Sequence, residues 1–304
     1  MDFTTETNAA DLIVVAGATG QLGGRITHYL LQKGARVRAI IRKGSSNPSV
    51  NALQAAGAEV VEVDFTNIPE LASAITGASC VVSALSGLRE VIINAQTELL
   101  QATVWAGVTR FIPSDYSIDY TKLRPGSNRN LDLRREFSEV VDKSGIQATS
   151  ILNGMFADLL TGEAPLIVPA LKKVIYWGDN EQPLDFTTIE NTAEFTAAAA
   201  LDPATPRYLR IAGEVASIKD LARAATEAHG KAFGTFRVGG LGMLGTMIKL
   251  TRTIAPQEKE TFPAWQGMQY MHNMFTGLPK LAPLDNDRYP GIRWIPVKEV
   301  LAKE

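Results

Sequence analysis

The chain has 304 residues, 45% hydrophobic and 20% charged, with a formal net charge of −2. That is the composition of a soluble globular protein, and it excludes the basic footprint of a nucleic-acid binder. A single cysteine, Cys80, rules out an intramolecular disulfide; within Cys80-Val81-Val82 it reads as a small core residue rather than a nucleophile. Residues 1–11 are polar and acidic, with no apolar segment of signal-peptide type. No apolar run is long enough to span a bilayer, so the expectation is a cytoplasmic protein with no membrane and no nucleic-acid partner.

Leu12-Ile13-Val14-Val15-Ala16 is short, unalternating and followed at once by glycines, the pattern of a strand buried on both faces. Helical spacing runs from Gln21 to Lys33 and stops at Gly34. Further strands are expected at 36–41, 59–63, 80–85, 109–113 and 146–152, with helices at 68–75, 91–105 and 134–143 between them. Strands alternating with helices every 20–25 residues or so give a doubly wound parallel α/β sheet. Beyond about residue 155 the pattern loosens: 162–169 and 178–183 read as loops or short strands, 190–201 as an alanine-rich helix, 208–211 as a strand, and 217–229 as a helix capped by Ser217. From Gly234 onward the chain reads as a separate small lobe without sheet.

Gly17-Ala18-Thr19-Gly20-Gln21-Leu22-Gly23 stands between the first strand and the first helix. There Gly17 turns the chain off the strand, Gly20 leaves room for a pyrophosphate against the backbone, and Gly23 lets helix and sheet approach. The helix start offers free amides and partial positive charge. The expected ligand is a nicotinamide dinucleotide. After the second strand an NAD site usually carries an acid, but here the chain reads Arg42-Lys43-Gly44-Ser45-Ser46. A guanidinium can pair with a 2′-phosphate and stack on adenine, which favours NADP(H). Asp64 and Phe65 are expected beside the adenine, with a turn or cap role for Asp64 as the alternative. Ser83, Ala84 and Leu85 should line the inner edge of the cofactor, and Asn153-Gly154-Met155-Phe156 should pass the nicotinamide.

Val15–Gly20, Ile41-Arg42-Lys43, Gly57–Asp64, Ala106–Tyr116 (including Ser114) and Ser144–Thr149 together resemble the NmrA-like and isoflavone reductase-like group of atypical short-chain dehydrogenases/reductases. The resemblance covers about residues 11–230 and implies a Rossmann domain with a smaller C-terminal α+β substrate lobe. Its expected division is 1–156 plus 186–215 for the NADP-binding part and 157–185 plus 216–304 for the lobe. Reductases of this group carry a lysine before the Ser-Gly of strand six; the matching position here is Arg134. Arginine does not shed its proton, but it can clamp an anion or stabilise negative charge.

Tyr116 and Tyr120 could donate a phenolic proton, or could simply be packed aromatics. The three histidines, His28, His229 and His272, form no metal spacing. The expected activity is NADPH-dependent hydride transfer to a small apolar or aromatic substrate: a carbonyl, an activated alkene or a quinone-methide-like carbon. Trp177, Phe262, Trp265, Tyr270, Met271, Met274 and Phe275 could line its site or form the lobe's core. The alternative is an NADP(H) sensor that binds a regulatory protein partner; a homodimer is the other association considered.

Overall fold

The computed structural model describes residues 11–45, 48–162, 164 and 166–303. The acidic stretch before Asp11, Ser46 and two positions within 162–169 lie outside the described residues.

In chain order the first half runs β1 (Leu12–Ala16), α1 (Gln21–Gln32), β2 (Arg36–Arg42), α2 (Ser49–Ala55), β3 (Glu59–Val63), α3 (Ile68–Ile75), β4 (Cys80–Ser83), α4 (Gln96–Trp105), β5 (Arg110–Ile112), α5 (Arg129–Ser144), β6 (Gln147–Ala148) and β7 (Ser150–Leu152). The order β3-β2-β1-β4-β5-β6 is parallel throughout, and β1 is flanked by β2 and β4. Ile13 and Val15 join one apolar cluster with Ile26 and Leu30 of α1, while Val14 and Ala16 join another with Leu71 of α3 and Leu99 of α4. A strand covered on both faces needs apolar side chains at successive positions, which is why the sequence of β1 does not alternate.

The second half runs β8 (Met155–Phe156), β9 (Ile167–Val168), β10 (Lys173–Trp177), β11 (Leu184–Thr187), α6 (Ile189–Leu201), β12 (Tyr208–Arg210), β13 (Glu214–Ala216), α7 (Ile218–His229), β14 (Gly234–Gly239), α8 (Leu241–Ile254), α9 (Ala264–Phe275) and α10 (Val297–Leu301). Two small sheets, β13-β11-β8 and β14-β10-β9, lie among these elements, and a third apolar cluster joins them to α7, α9 and α10.

Several boundaries differ from the sequence pattern. Expected strand six is broken at Thr149: β6 pairs with β5, whereas β7 pairs in parallel with β12. The expected helix at 134 starts at Arg129, where Asn128 accepts the amides of Asn130 and Leu131 at 3.1 and 3.2 Å; an N-cap Asn is the signal that was there to be read. The helix expected from Val91 begins as a wider π-turn over Glu90–Ala95. The reading of no sheet after Gly234 is corrected by β14, which pairs in parallel with β10. Its glycines masked a strand whose register comes from a distant partner. The Ser217 cap is present as a reciprocal box with Asp220.

Candidate active site

The carboxyl ends of the parallel strands bring residues 17–23, 42–45, 64–65, 83–87, 113–117 and 153–156 to one edge of the protein. Open α/β sheets bind ligands along this edge. The glycines of the first turn divide their work unequally. Gly17 has φ +86°, and a Cβ on it would lie 2.7 Å from the Ala84 carbonyl oxygen. A Cβ on Gly23 would overlap the Gly17 carbonyl oxygen and lie 2.7 Å from its carbon. Both positions are closed by the protein's own backbone. Gly20 is different: it is exposed, and its nearest neighbour would be the Gly17 oxygen at 3.4 Å.

Gly20 is also the N-cap of α1 and supplies no side-chain cap. The first helical bond comes from Gly24, which donates to the Gly20 carbonyl at 2.9 Å. The preceding amides, of Gln21, Leu22 and Gly23, therefore face outward at the positive end of a 12-residue helix. Thr19 and Leu22 are half-buried beside them. Arg42 ends β2 on the neighbouring strand; it is exposed, and its guanidinium makes no hydrogen bond or ion pair with a described residue.

Other expected cofactor residues are otherwise engaged. Lys43 forms an ion pair with Glu70 at 2.7 Å, and that bond holds its ammonium pKa above the usual value. Asp64 accepts from the amide and hydroxyl of Thr66 at 2.9 and 2.7 Å, which lowers its carboxyl pKa; this is the turn role. Phe65 is buried in the cluster with Leu71 and Ile75. Ser114 donates its hydroxyl to the Leu85 carbonyl at 2.7 Å and its backbone amide to the side-chain oxygen of Gln96 at 3.0 Å. This pins the β5 loop to the β4 loop; Ala84 and Leu85 stay half-buried there.

Ser83 and Asn153 are wholly buried, and the Ser83 hydroxyl and both ends of the Asn153 amide lack partners among the described residues. Phe156 is half-buried in the cluster that also contains Leu22 and Ala84. The tight approach expected of Gly154 is real but has another object: its φ is +70°, and a Cβ would overlap the Asp185 carbonyl oxygen. Gly154 thus joins β8 to β11.

Arg134 is 8% exposed on α5. It donates to the Asn130 carbonyl at 3.1 Å, and its Nε has no partner. It lies within electrostatic reach of Asp115 and Tyr270. Asp115, which the sequence did not single out, is wholly buried. It accepts on one oxygen from Tyr120 at 2.9 Å and Ser150 at 2.6 Å, and its other oxygen is unpartnered. Burial pushes its carboxyl above the usual range, against the pull of Ser150 and Arg134. Tyr116 does not join this group. Its ring belongs to the cluster with Phe195 of α6, its hydroxyl is buried near Thr196, and burial raises its pKa. A phenol held there packs as a core group, the packed-aromatic alternative of the sequence reading. Tyr120 is likewise buried, tied to Asp115.

Of the large apolar side chains of the lobe, Trp177, Trp265, Met271, Met274 and Phe275 are buried in the interior, whereas Phe262 is 61% exposed. His272 faces Gly245 of α8, and Cys80 is buried with its thiol pushed up to about 12. Among the described residues no group of three His, Cys, Asp or Glu could hold a metal ion, and no helix is long and apolar enough to cross a membrane.

Residues 9–260 match the model of the NmrA-like family. The chain belongs to that family. This member is 30% identical to pinoresinol reductase 1 of Arabidopsis thaliana over 207 residues, 64% of this chain and 65% of that relative's length. Its fold is similar to a solved structure of AtPrR2 with NADP+ and (+)pinoresinol, with a TM-score of 0.81 and 24% identity, covering 97% of this chain and 99% of the other. A leucoanthocyanidin reductase–NADPH complex from Vitis vinifera gives 0.80 at 20% identity, covering 96% and 98%. These likenesses confirm the Rossmann-type α/β fold of the NmrA-like and isoflavone reductase-like group.

Proposed function

We propose that the protein is an NADP(H)-dependent reductase acting on a small, aromatic substrate. The observation that carries this reading is the pairing of three bare amides at the start of α1, over the open Gly20, with the Arg42 guanidinium one strand away, which has no partner among the described residues. Free amides at a helix start suit a pyrophosphate, and an unpaired guanidinium suits the further phosphate that separates NADP(H) from NAD(H). The pinoresinol reductase similarity supports the reductase assignment.

The buried orphan atoms of Ser83 and Asn153 fit the inner half of such a cofactor, because each polar group needs a partner that the described residues do not supply. Gly17, Thr19, Gly20, Gln21, Leu22 and Gly23 would hold the phosphates, and Ala84, Leu85, Ser114 and Phe156 would border the same edge. Bound NADPH supplies a hydride. The chain's residues supply orientation and charge: Arg134, kept cationic, stabilises negative charge arising on a substrate oxygen. It does not act as the proton source, since a guanidinium holds its proton. That same property supports the second reading, a cofactor sensor with a protein partner; steady NADPH consumption with an aromatic aldehyde or enone would exclude it. The cofactor assignment is tested by Arg42→Ala in calorimetry. NADPH affinity should fall by about tenfold or more while NADH is little changed; equal losses would refute the 2′-phosphate assignment.

A further inference from the structure

The small sheet β14-β10-β9 ends in an open edge, because β14 pairs with β10 alone among the described residues. Gly234 donates its amide to the Lys172 carbonyl at 3.0 Å and so faces β10. A parallel ladder uses every second residue of a strand in this way. Thr235 and Arg237 therefore turn their amides and carbonyls outward, and neither backbone finds a partner among the described residues. A free strand edge of this kind is a template for another extended chain.

A groove of about 500 Å³ lies between this edge and α7. Ala222, Arg223 and Thr226 of α7 form one wall, and Phe233 and Thr235 form the other. None of the residues at the carboxyl ends of the parallel strands lines it, so it is separate from the cofactor edge. Side chains alternate along a strand. Arg237 thus shares the groove face with Thr235, while Phe236 lies on the opposite face, 57% exposed.

Charge selects the chain that fits. Inside the groove Lys219 pairs with Glu181, Arg223 with Asp220, and Glu227 with Lys298. Cations are left over along the edge: Lys172 and Lys173 opposite Gly234, Lys231 just before the strand, and Arg237 on it. Their side chains make no hydrogen bond or ion pair with a described residue. A second copy would set these cations against themselves, which disfavours strand pairing; an acidic chain would neutralise them. We infer that β14 and α7 form a docking groove for an extended acidic peptide of a partner protein, added as a further strand on β14. Carboxylates at alternate positions meet Arg237 and the groove, and the apolar side chains between them lie on Phe236. The inference goes beyond the reductase reading and does not depend on it.

The probe is a fluorescent, capped peptide of alternating glutamate and valine, titrated onto the full chain by anisotropy at low salt. Lysine in place of glutamate is the charge control, and N-methylation of the peptide backbone removes its strand donors. The acidic peptide should bind about tenfold or more tightly than either control, and more weakly in high salt. Hydrogen exchange should slow at the Thr235 and Arg237 amides and not at Phe236, whose amide already faces β10. Arg237→Glu should cost the acidic peptide about fivefold or more in affinity and favour the lysine peptide, with Tm and NADPH affinity unchanged. Thr235→Pro, which removes an outward amide that an edge strand can spare, is the second variant and should weaken the acidic peptide likewise. No binding of the acidic peptide, equal binding of the two charges, or unchanged exchange at both amides overturns the groove. So does a dimer that protects those amides without peptide, which would make the edge an interface between copies. Failure of the wild type to bind NADPH would refute the reductase reading alone, because the groove is read from peptide binding.

Discussion

Alanine at Gly20 and alanine at Gly23 place the same methyl group three residues apart with opposite expected consequences. At Gly20 the backbone (φ −83°, ψ 168°) suits any residue, and the new Cβ would find only the Gly17 oxygen at 3.4 Å. The stability cost is limited to a poorer N-cap, about 0.5–1 kcal/mol. The methyl nonetheless fills the space over the bare amides, so NADPH affinity should drop by about 10- to 100-fold, equivalent to ~1.4–2.8 kcal/mol. At Gly23 the Cβ would overlap the Gly17 carbonyl and come within 3.0 Å of Ala18 Cα. These are backbone atoms and cannot swing aside. Because the clash is with fixed backbone, overpacking at the upper end of the usual range, about 3 kcal/mol, should outweigh the ~1 kcal/mol that alanine normally gains in a helix and leave a net loss of about 2 kcal/mol. At about 2–4 °C per kcal/mol for a chain of this size, Gly23→Ala should melt several degrees below Gly20→Ala. Thermal denaturation paired with calorimetry reads both effects. The reasoning fails if Gly20→Ala binds NADPH as the wild type does, or if the two variants lose the same thermal stability.

Arg134→Ala should cut turnover by about 10²–10³-fold with little change in NADPH affinity; unchanged steady-state rates would remove Arg134 from the chemistry. Gly154→Ala forces a Cβ into Asp185 at φ +70°; it should lower Tm by several degrees, since strain and overpacking together cost about 2–4 kcal/mol, while the NADPH-over-NADH preference stays as in the wild type. Burial depresses the His272 pKa below its ordinary value near 6.5. The unfolded chain therefore takes up that proton first, and the contribution is full above about pH 6.5 and lost as pH falls toward the depressed value. Chemical denaturation between pH 7 and 5 should show this loss in the wild type and a flatter profile in His272→Gln; parallel profiles would exclude His272.

The parallel-sheet half was legible because local rules dictate it. An unalternating apolar run has to be covered on both faces, and a glycine-punctuated strand-to-helix turn leaves its amides free wherever it occurs. Arg42, with no acid beside it in sequence, could be singled out from neighbouring residues alone. For Lys43 and Phe65 the neighbours came from folding: Glu70 pairs with Lys43, and the α3 cluster takes in Phe65.

Tertiary structure alone decided the rest. β14 is a strand only because Lys173–Trp177 lies alongside it, and strand partners far apart in sequence leave no local period. The sequence left Tyr116 open between a proton donor and a packed aromatic; only the fold shows that its ring joins the cluster with Phe195 of α6. The hydrogen bond from the Gln266 side chain to that of Asn128 spans 138 residues, so no window of sequence contains it. Hydrophobic period and turn chemistry are written into neighbouring residues; which polar atoms lose water and find no partner depends on how helices distant in sequence meet.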